Sequence, residues 1–231
     1  MFNREHHIHI ATILQALDAQ LLMDCNCLFG GGTAIVLSHG EYRESIDIDF
    51  LISDLVGYQT LRQRLKEKGL DSITRNGMKL KPTREIRVDQ YGIRTLLKVA
   101  EAEIKLEIVY EGRISLEAPL QNERLCGVAT LTTLDMATTK LLANSDRWSD
   151  DSVFSRDLID LAMLDLPKSV VTQAVAKAAI AYGASIKRDL TKAIHSISER
   201  QGRLDECMTA LQMSEIPKAL LWKRIRALRE K

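Results

Sequence analysis

Phe29-Gly30-Gly31-Gly32-Thr33-Ala34, followed by Arg43-Glu44-Ser45-Ile46-Asp47-Ile48-Asp49-Phe50, is the stretch whose reading decides this chain. In its second part Ile46, Ile48 and Phe50 alternate with Asp47 and Asp49, and a period of two predicts a β-strand. Successive strand side chains point to opposite faces, so Asp47 and Asp49 are expected on one face and the three apolar residues on the other. Two carboxylates side by side repel, and a hard divalent cation, Mg²⁺ or Mn²⁺, is the natural neutralising partner. Such an ion can bind nucleotide phosphates and activate an attacking hydroxyl.

The glycines fit the same chemistry. Three in succession allow positive φ and close approach of backbone to a ligand. Thr33 to Leu37 then reads as the start of a short helix, whose first amides, with the Thr33 hydroxyl, could hold a polyphosphate. No Gly-Lys-Ser/Thr follows, which excludes a P-loop, and the Gly-x-Gly-x-x-Gly spacing of a dinucleotide fold is absent. A kinase-like phosphotransferase is disfavoured because no glycine-loop plus catalytic Asp–Asn set is present. Alone, three glycines make a turn and Asp-x-Asp a solvated strand edge. In this order they point to a phosphate cradle next to metal ligands, which is the arrangement nucleotidyl transfer needs.

At these residues the chain resembles the DNA polymerase β-type nucleotidyltransferase superfamily, and within it the AbiEii/AbiGii toxin-like nucleotidyltransferases. Gly31, Gly32, Thr33, Ala34, Arg43, Ser45, Asp47 and Asp49 fit that family's first motif, with Ile35 where leucine is commoner. Glu103-Ile104-Lys105-Leu106-Glu107-Ile108-Val109 resembles its Lys-x-Asp/Glu strand, Lys140 its helical lysine, and Arg156-Asp157-Leu158-Ile159-Asp160-Leu161 its Arg-Asp-x-x-Asp-Leu motif. The resemblance implies a metal-dependent transfer of NMP from an NTP to a hydroxyl, with release of pyrophosphate. It implies Asp47, Asp49 and Glu107 as metal ligands. Lys140 and Asp157 join these three as catalytic residues, and Gly31, Gly32, Thr33, Arg43, Ser45, Lys105 and Arg156 are implied to bind the nucleotide. Relatives are toxins of toxin–antitoxin systems and some modify the 3′ end of tRNA. A tRNA or other RNA acceptor and a cognate antitoxin are therefore the expected partners. Nucleotidylation of a protein, or a non-catalytic binding module of the same fold, are the alternatives.

The 231 residues, 45% apolar and 27% charged, suit an ordinary globular protein of one large or two small domains. No apolar run is long enough to span a membrane, and the N-terminus lacks the basic start and apolar core of a signal peptide. The expected location is the cytoplasm. Cys25, Cys27, Cys126 and Cys207 show no Cys-x-x-Cys pairing and read as free thiols. His6, His7 and His9 read as partly solvated positions on an N-terminal helix rather than as metal ligands. The net charge of +1 conceals an asymmetry: residues 1–167 carry 19 basic and 25 acidic side chains, residues 168–231 carry 13 and 6. A basic C-terminal half can meet a polyanion, although a solvated set of helices explains the same charge.

The patterning predicts an α+β fold: a small mixed β-sheet nucleotidyltransferase core flanked by helices over residues 1–130, then an α-helical C-terminal bundle over residues 131–231 that the resemblance ties to the site through Lys140 and Asp157. One helix is expected from Asn3 to about Met23, and another over Tyr58–Lys68, ended by Gly69. Strands are expected at Cys27–Phe29, Arg84–Asp89, Ile93–Val99 and Ala102–Tyr110. On the last of these, Lys105 and Glu107 share a face. Helices follow near 133–145, 153–166, 168–182, 184–200, 203–211 and 215–230, with Trp222 among Lys223, Arg224, Arg226 and Arg229 in the last.

Overall fold

The computed structural model describes residues 2–230; Met1, read above as part of the N-terminal segment, and Lys231, the end of the basic C-terminal stretch, lie outside the described residues. The chain forms an α+β protein of two compact units, residues 1–38 with 45–132, and residues 39–44 with 133–231.

The first unit opens with α1 (Glu5–Ala16) and α2 (Ala19–Asp24). The single helix expected here is broken because Leu17 turns extended and Asp18 donates its amide to Ile73 O, while its side chain caps α2 through the Leu21 amide. Asn3 is not the cap: the first helical residue follows Arg4, which makes no side-chain cap. Strand β1 (Leu28–Gly30) leads directly into α3 (Gly31–Ser38), so the helix begins at the second glycine of the run, two residues earlier than expected. Then come β2 (Ile48–Ile52), α4 (Leu55–Lys68), β3 (Lys81–Pro82), β4 (Arg87–Val88), β5 (Gly92–Val99), β6 (Ala102–Tyr110), β7 (Arg124–Leu125) and β8 (Val128–Ala129). Asp54 caps α4 through the Val56 and Gly57 amides, and Gly69, at φ 60°, ends it.

The main sheet runs β1-β2-β6-β5-β3, with β4 also on β5. β2 pairs parallel to β6, and β1 and β5 lie antiparallel on either side. Ile48, Phe50, Ile104 and Ile108 are buried on one face, and Phe29 stacks on Phe50 with ring centroids 5.5 Å apart. The intervening positions Asp49, Lys105 and Glu107 are only half-buried, as the period of two requires. The expected alternation does not extend back to Ile46: the strand starts at Ile48, and Ile46 lies outside it, 54% exposed.

The second unit holds α5 (Thr133–Arg147), α6 (Arg156–Met163), α7 (Lys168–Tyr182), α8 (Ser185–Glu199), α9 (Arg203–Ala210) and α10 (Lys218–Ala227). Pro167 and Pro217 sit just before α7 and α10, where a missing amide costs nothing. Residues 39–44 belong here rather than with the sheet. Tyr42 and Arg43 are almost fully buried, and the Glu44 amide donates to Leu211 O.

Candidate active site

The sheet register builds the first part of the site. Gly30 of β1 faces Asp49 of β2, Asp49 faces Glu107 of β6, and Glu107 faces Arg94 of β5. One row across four strands thus carries a glycine, two carboxylates and a guanidinium. Gly31 follows at φ +67°, and a Cβ built there would stand 2.5 Å from Asp49 Oδ2. Glycine is required twice over, by the left-handed backbone and by the carboxylate against it. Asp47 lies just before β2, and its carbonyl accepts a hydrogen bond from the Thr33 hydroxyl, which is also 2.8 Å from Ser45 Oγ.

Glu107 is engaged at both oxygens. Arg94 Nε donates to Oε1, and Lys105 Nζ lies 2.5 Å from Oε2. Burial works to raise the Glu107 pKa, but the hydrogen bonds from Lys105 and Arg94 outweigh it and hold the carboxyl below its ordinary range. Lys105 shows the mirror effect: burial lowers its pKa, and Glu107, then Asp47 and Asp49, raise it to a net increase. The fields of both aspartates therefore reach the Lys105 ammonium.

The helical unit holds a second ionic cluster. Asp157 and Asp160 sit three residues apart on α6. Lys140 Nζ lies 3.0 Å from Asp157 Oδ1 and 2.7 Å from Asp160 Oδ2. Arg147 reaches Asp157 Oδ2 at 2.6 Å, and Arg43 grips both oxygens of Asp160 at 2.7 and 2.8 Å, with the Tyr42 hydroxyl donating to Oδ1 at 2.7 Å. Burial pushes both carboxyls up, yet Lys140 and Arg147 hold Asp157, and Arg43 and Lys140 hold Asp160, below the usual value.

The family described as "Nucleotidyl transferase AbiEii toxin, Type IV TA system" matches residues 12–228. The chain belongs to the AbiEii family. It is a nucleotidyltransferase by that membership, and the family is one of toxins. Two solved structures share its fold: a candidate nucleotidyltransferase from H. pylori, 16% identical with a TM-score of 0.50 over 99% of this chain and 96% of that one, and JHP933 from Helicobacter pylori, 16% identical with a TM-score of 0.52 over 100% and 94%. No curated protein matches the chain significantly.

Set against the AbiEii motifs, the expected residues separate into groups. Asp49 and Glu107 stand in the sheet row, Gly31 follows its glycine, Lys105 lies two residues before Glu107 on the same strand, and Asp47, Ser45 and Thr33 lie at the row's edge. Gly32 lies in the first turn of α3. Glu107 is bonded to two cations, Arg94 and Lys105, and among the described residues no group of three His, Cys, Asp or Glu side chains converges. Asp47 and Asp49 do fit a hard cation: both are half-buried carboxylates, and Mg²⁺ ordinarily takes one or two protein carboxylates plus substrate phosphates and water. Thr33 is buried, and its hydroxyl is engaged by Ser45 and Asp47 rather than left open to a phosphate. Arg43 likewise has its guanidinium buried on Asp160. Arg156 is half-exposed and has no ion-pair partner among the described residues.

Four participants were missed from sequence. Asp160 stood inside the quoted Arg-Asp-x-x-Asp-Leu motif, and its three-residue spacing from Asp157 on a helix could have found it. Arg147, seven residues after Lys140, repeats the same helical face. Tyr42 and Arg94 carried no local signal; only the register of β5 on β6 brings Arg94 to Glu107.

Proposed function

We propose that this AbiEii-family enzyme transfers NMP from an NTP to a hydroxyl, in a metal-dependent reaction centred on Asp47 and Asp49, and that the acceptor is an RNA, with the 3′ end of tRNA as the first candidate. The observation that carries this reading is the packing of Gly31 against Asp49, which sets a left-handed glycine turn and a half-exposed carboxylate in contact. A helix starts at that turn, so the Gly31 and Gly32 amides and the positive end of α3 suit a triphosphate.

Asp47 and Asp49 would hold one or two Mg²⁺ or Mn²⁺ ions. When bound, such an ion neutralises phosphate oxygens and lowers the pKa of an attacking hydroxyl. Lys105, kept cationic by Glu107 and the two aspartates, is placed to offset charge that develops on the phosphate. Glu107 orients Lys105 and Arg94, so its role in this reading is to hold cations in place. Ser45 and Thr33 brace the Asp47 backbone. For Lys140 and Asp157 the family motifs support catalytic roles, and their mutual ion pair supports Asp157 orienting Lys140.

The helical unit supplies the support for RNA. A cavity of about 170 Å³ is lined by Thr191, His195 and Ser198 of α8 and by Trp222, Arg226 and Arg229 after them. It is smaller than a typical drug-sized pocket and suits one base or one phosphate. Arg188, Arg200, Arg203 and Arg224 of the same unit each have a carboxylate partner, whereas Arg226 and Arg229 have none among the described residues. Unpaired guanidiniums beside an aromatic wall match a nucleic-acid strand. An antitoxin partner is proposed on the family's description alone, and a cytoplasmic location from the NTP and RNA it would use.

The test incubates the protein with each labelled NTP, Mg²⁺ or Mn²⁺, and total RNA or cell lysate. Label on RNA supports the reading, label on protein redirects the acceptor, and no label on either with any NTP overturns the transfer reaction for this chain.

A further inference from the structure

Residues Ser45, Ile46 and Asp47 carry the approach to the first carboxylate, yet they lie outside the sheet. The β1–β2 pairing ends at Gly30 opposite Asp49, and the β2–β6 pairing begins at Ile48 opposite Leu106. Backbone groups that no ladder satisfies must find other partners. Here side chains supply them. The Ser45 amide donates to His7 Nε2 at 3.2 Å, and His6 Nε2 donates to Ile46 O at 3.1 Å. Thr33 adds its bonds to Ser45 Oγ and Asp47 O. Three consecutive residues are thus held by two neighbouring imidazoles of the first turn of α1 and by the threonine of α3.

The two histidines are not interchangeable. An amide can only donate and a carbonyl can only accept, so His7 must present a bare Nε2 and His6 a protonated one. His7 is fully buried, contrary to its expected solvation on the helix surface. The bond is part-buried, and an amide there that loses its acceptor is costly, so the segment is expected to shift when the His7 acceptor is removed.

We propose that His7, assisted by His6, is a positioning residue that sets where Asp47 stands relative to Asp49. The clamp acts through the Ser45–Asp47 backbone and touches neither substrate nor metal. It is a property of this chain's N-terminal helix, and it rests on the reading of Asp47 and Asp49 as cation ligands only for its consequence.

The test compares His7→Phe, which keeps bulk and loses the acceptor, with His7→Gln, whose amide oxygen can replace it. The first readout is hydrogen exchange at the Ser45 amide in the protein without added metal. Exchange in His7→Phe is expected to be faster by about tenfold or more, and close to wild type in His7→Gln. The second readout is calorimetry with Mn²⁺ alone, where His7→Phe should bind about tenfold more weakly and His7→Gln within about threefold of wild type. Unchanged Ser45 exchange in His7→Phe, or equal impairment of both variants, overturns the clamp. If His7→Phe does not fold, His6→Ala at the half-exposed neighbour replaces it: weaker Mn²⁺ binding with an intact fold supports the clamp, and unchanged binding overturns it. A wild-type protein that binds no Mn²⁺ sinks the cation reading instead, and Ser45 exchange still decides the clamp.

Discussion

Replacing Gly31 by alanine separates the backbone demand at the glycine turn from the demand of the carboxylate against it. At φ +67° an L-residue costs about 1–2 kcal/mol. The new Cβ would also stand 2.5 Å from Asp49 Oδ2 and 2.9 Å from Asp49 Cβ, too close for either atom, so the Asp49 side chain must leave its rotamer and the backbone, which alone sets Cβ, must give as well. The rotamer change alone adds about 0.5–1.5 kcal/mol. The two effects together predict a loss of about 1.5–3.5 kcal/mol, or about 3–14 °C in melting temperature for a chain of this size. Gly77→Ala is the control, because Gly77 has φ +84° and a Cβ added there would meet nothing within 4 Å, so it carries the strain without the collision. The assays are thermal unfolding and transfer of labelled NMP. Gly31→Ala should be the less stable of the two, and its transfer rate should fall by about a hundredfold, since a reacting group displaced by an ångström loses about that much. Equal stability of the two variants together with near-wild-type transfer by Gly31→Ala would refute the argument that Gly31 sets the Asp49 carboxylate.

Asp49→Asn should abolish label transfer while leaving the circular dichroism spectrum and melting temperature close to wild type; full activity would remove Asp49 from the chemistry. The pKa of Asp157 and of Asp160 is depressed in the folded protein, so their contribution to stability is complete at neutral pH and is lost as pH falls below about 4 towards the folded-state values. Urea midpoints measured from pH 7 to pH 2 should show that loss, and Asp160→Asn, which removes the shared charge from Arg43 and Lys140, should cost about 3–5 kcal/mol at pH 7. Replacing Arg226 and Arg229 together with glutamine should reduce the salt dependence of single-stranded RNA binding, lowering the log–log slope by about 1.4, as read by fluorescence titration at several salt concentrations.

The sheet of the first unit was legible where the chain repeats a short period. Ala102–Ile108 alternates apolar and polar over seven residues, and the Lys105/Glu107 face follows from that alternation. The N-terminal helix was not legible in the same way. Residues 3–23 carry a continuous apolar stripe, and what interrupts it is the pairing of Leu17 and Asp18 with residues 73–74, far along the chain. The same distinction divides the site. Gly31, Asp47 and Asp49 sit in one local motif that a reader can find, whereas the engagement of Glu107 depends on Arg94, which is thirteen residues away in sequence and opposite only through the β5–β6 register. A sequence reading can therefore count three carboxylates, but it cannot count the cations that the sheet brings to one of them.

Arg43 shows why motif and chemistry must be kept apart. It stands four residues before Asp47, inside the same motif, and that position alone suggested a phosphate contact. Its guanidinium instead makes a two-pronged pair with Asp160, and the Tyr42 hydroxyl shares that carboxylate. Three cations, Lys140, Arg147 and Arg43, meet two carboxylates, so removing either carboxylate leaves buried cationic groups short of a partner. In this chain the motif arginine holds a carboxylate of the helical unit. Its substitution should be read first as a stability change: Arg43→Lys keeps the charge but loses the two-pronged geometry. It should lower the unfolding midpoint before any change in the affinity for NTP is interpreted.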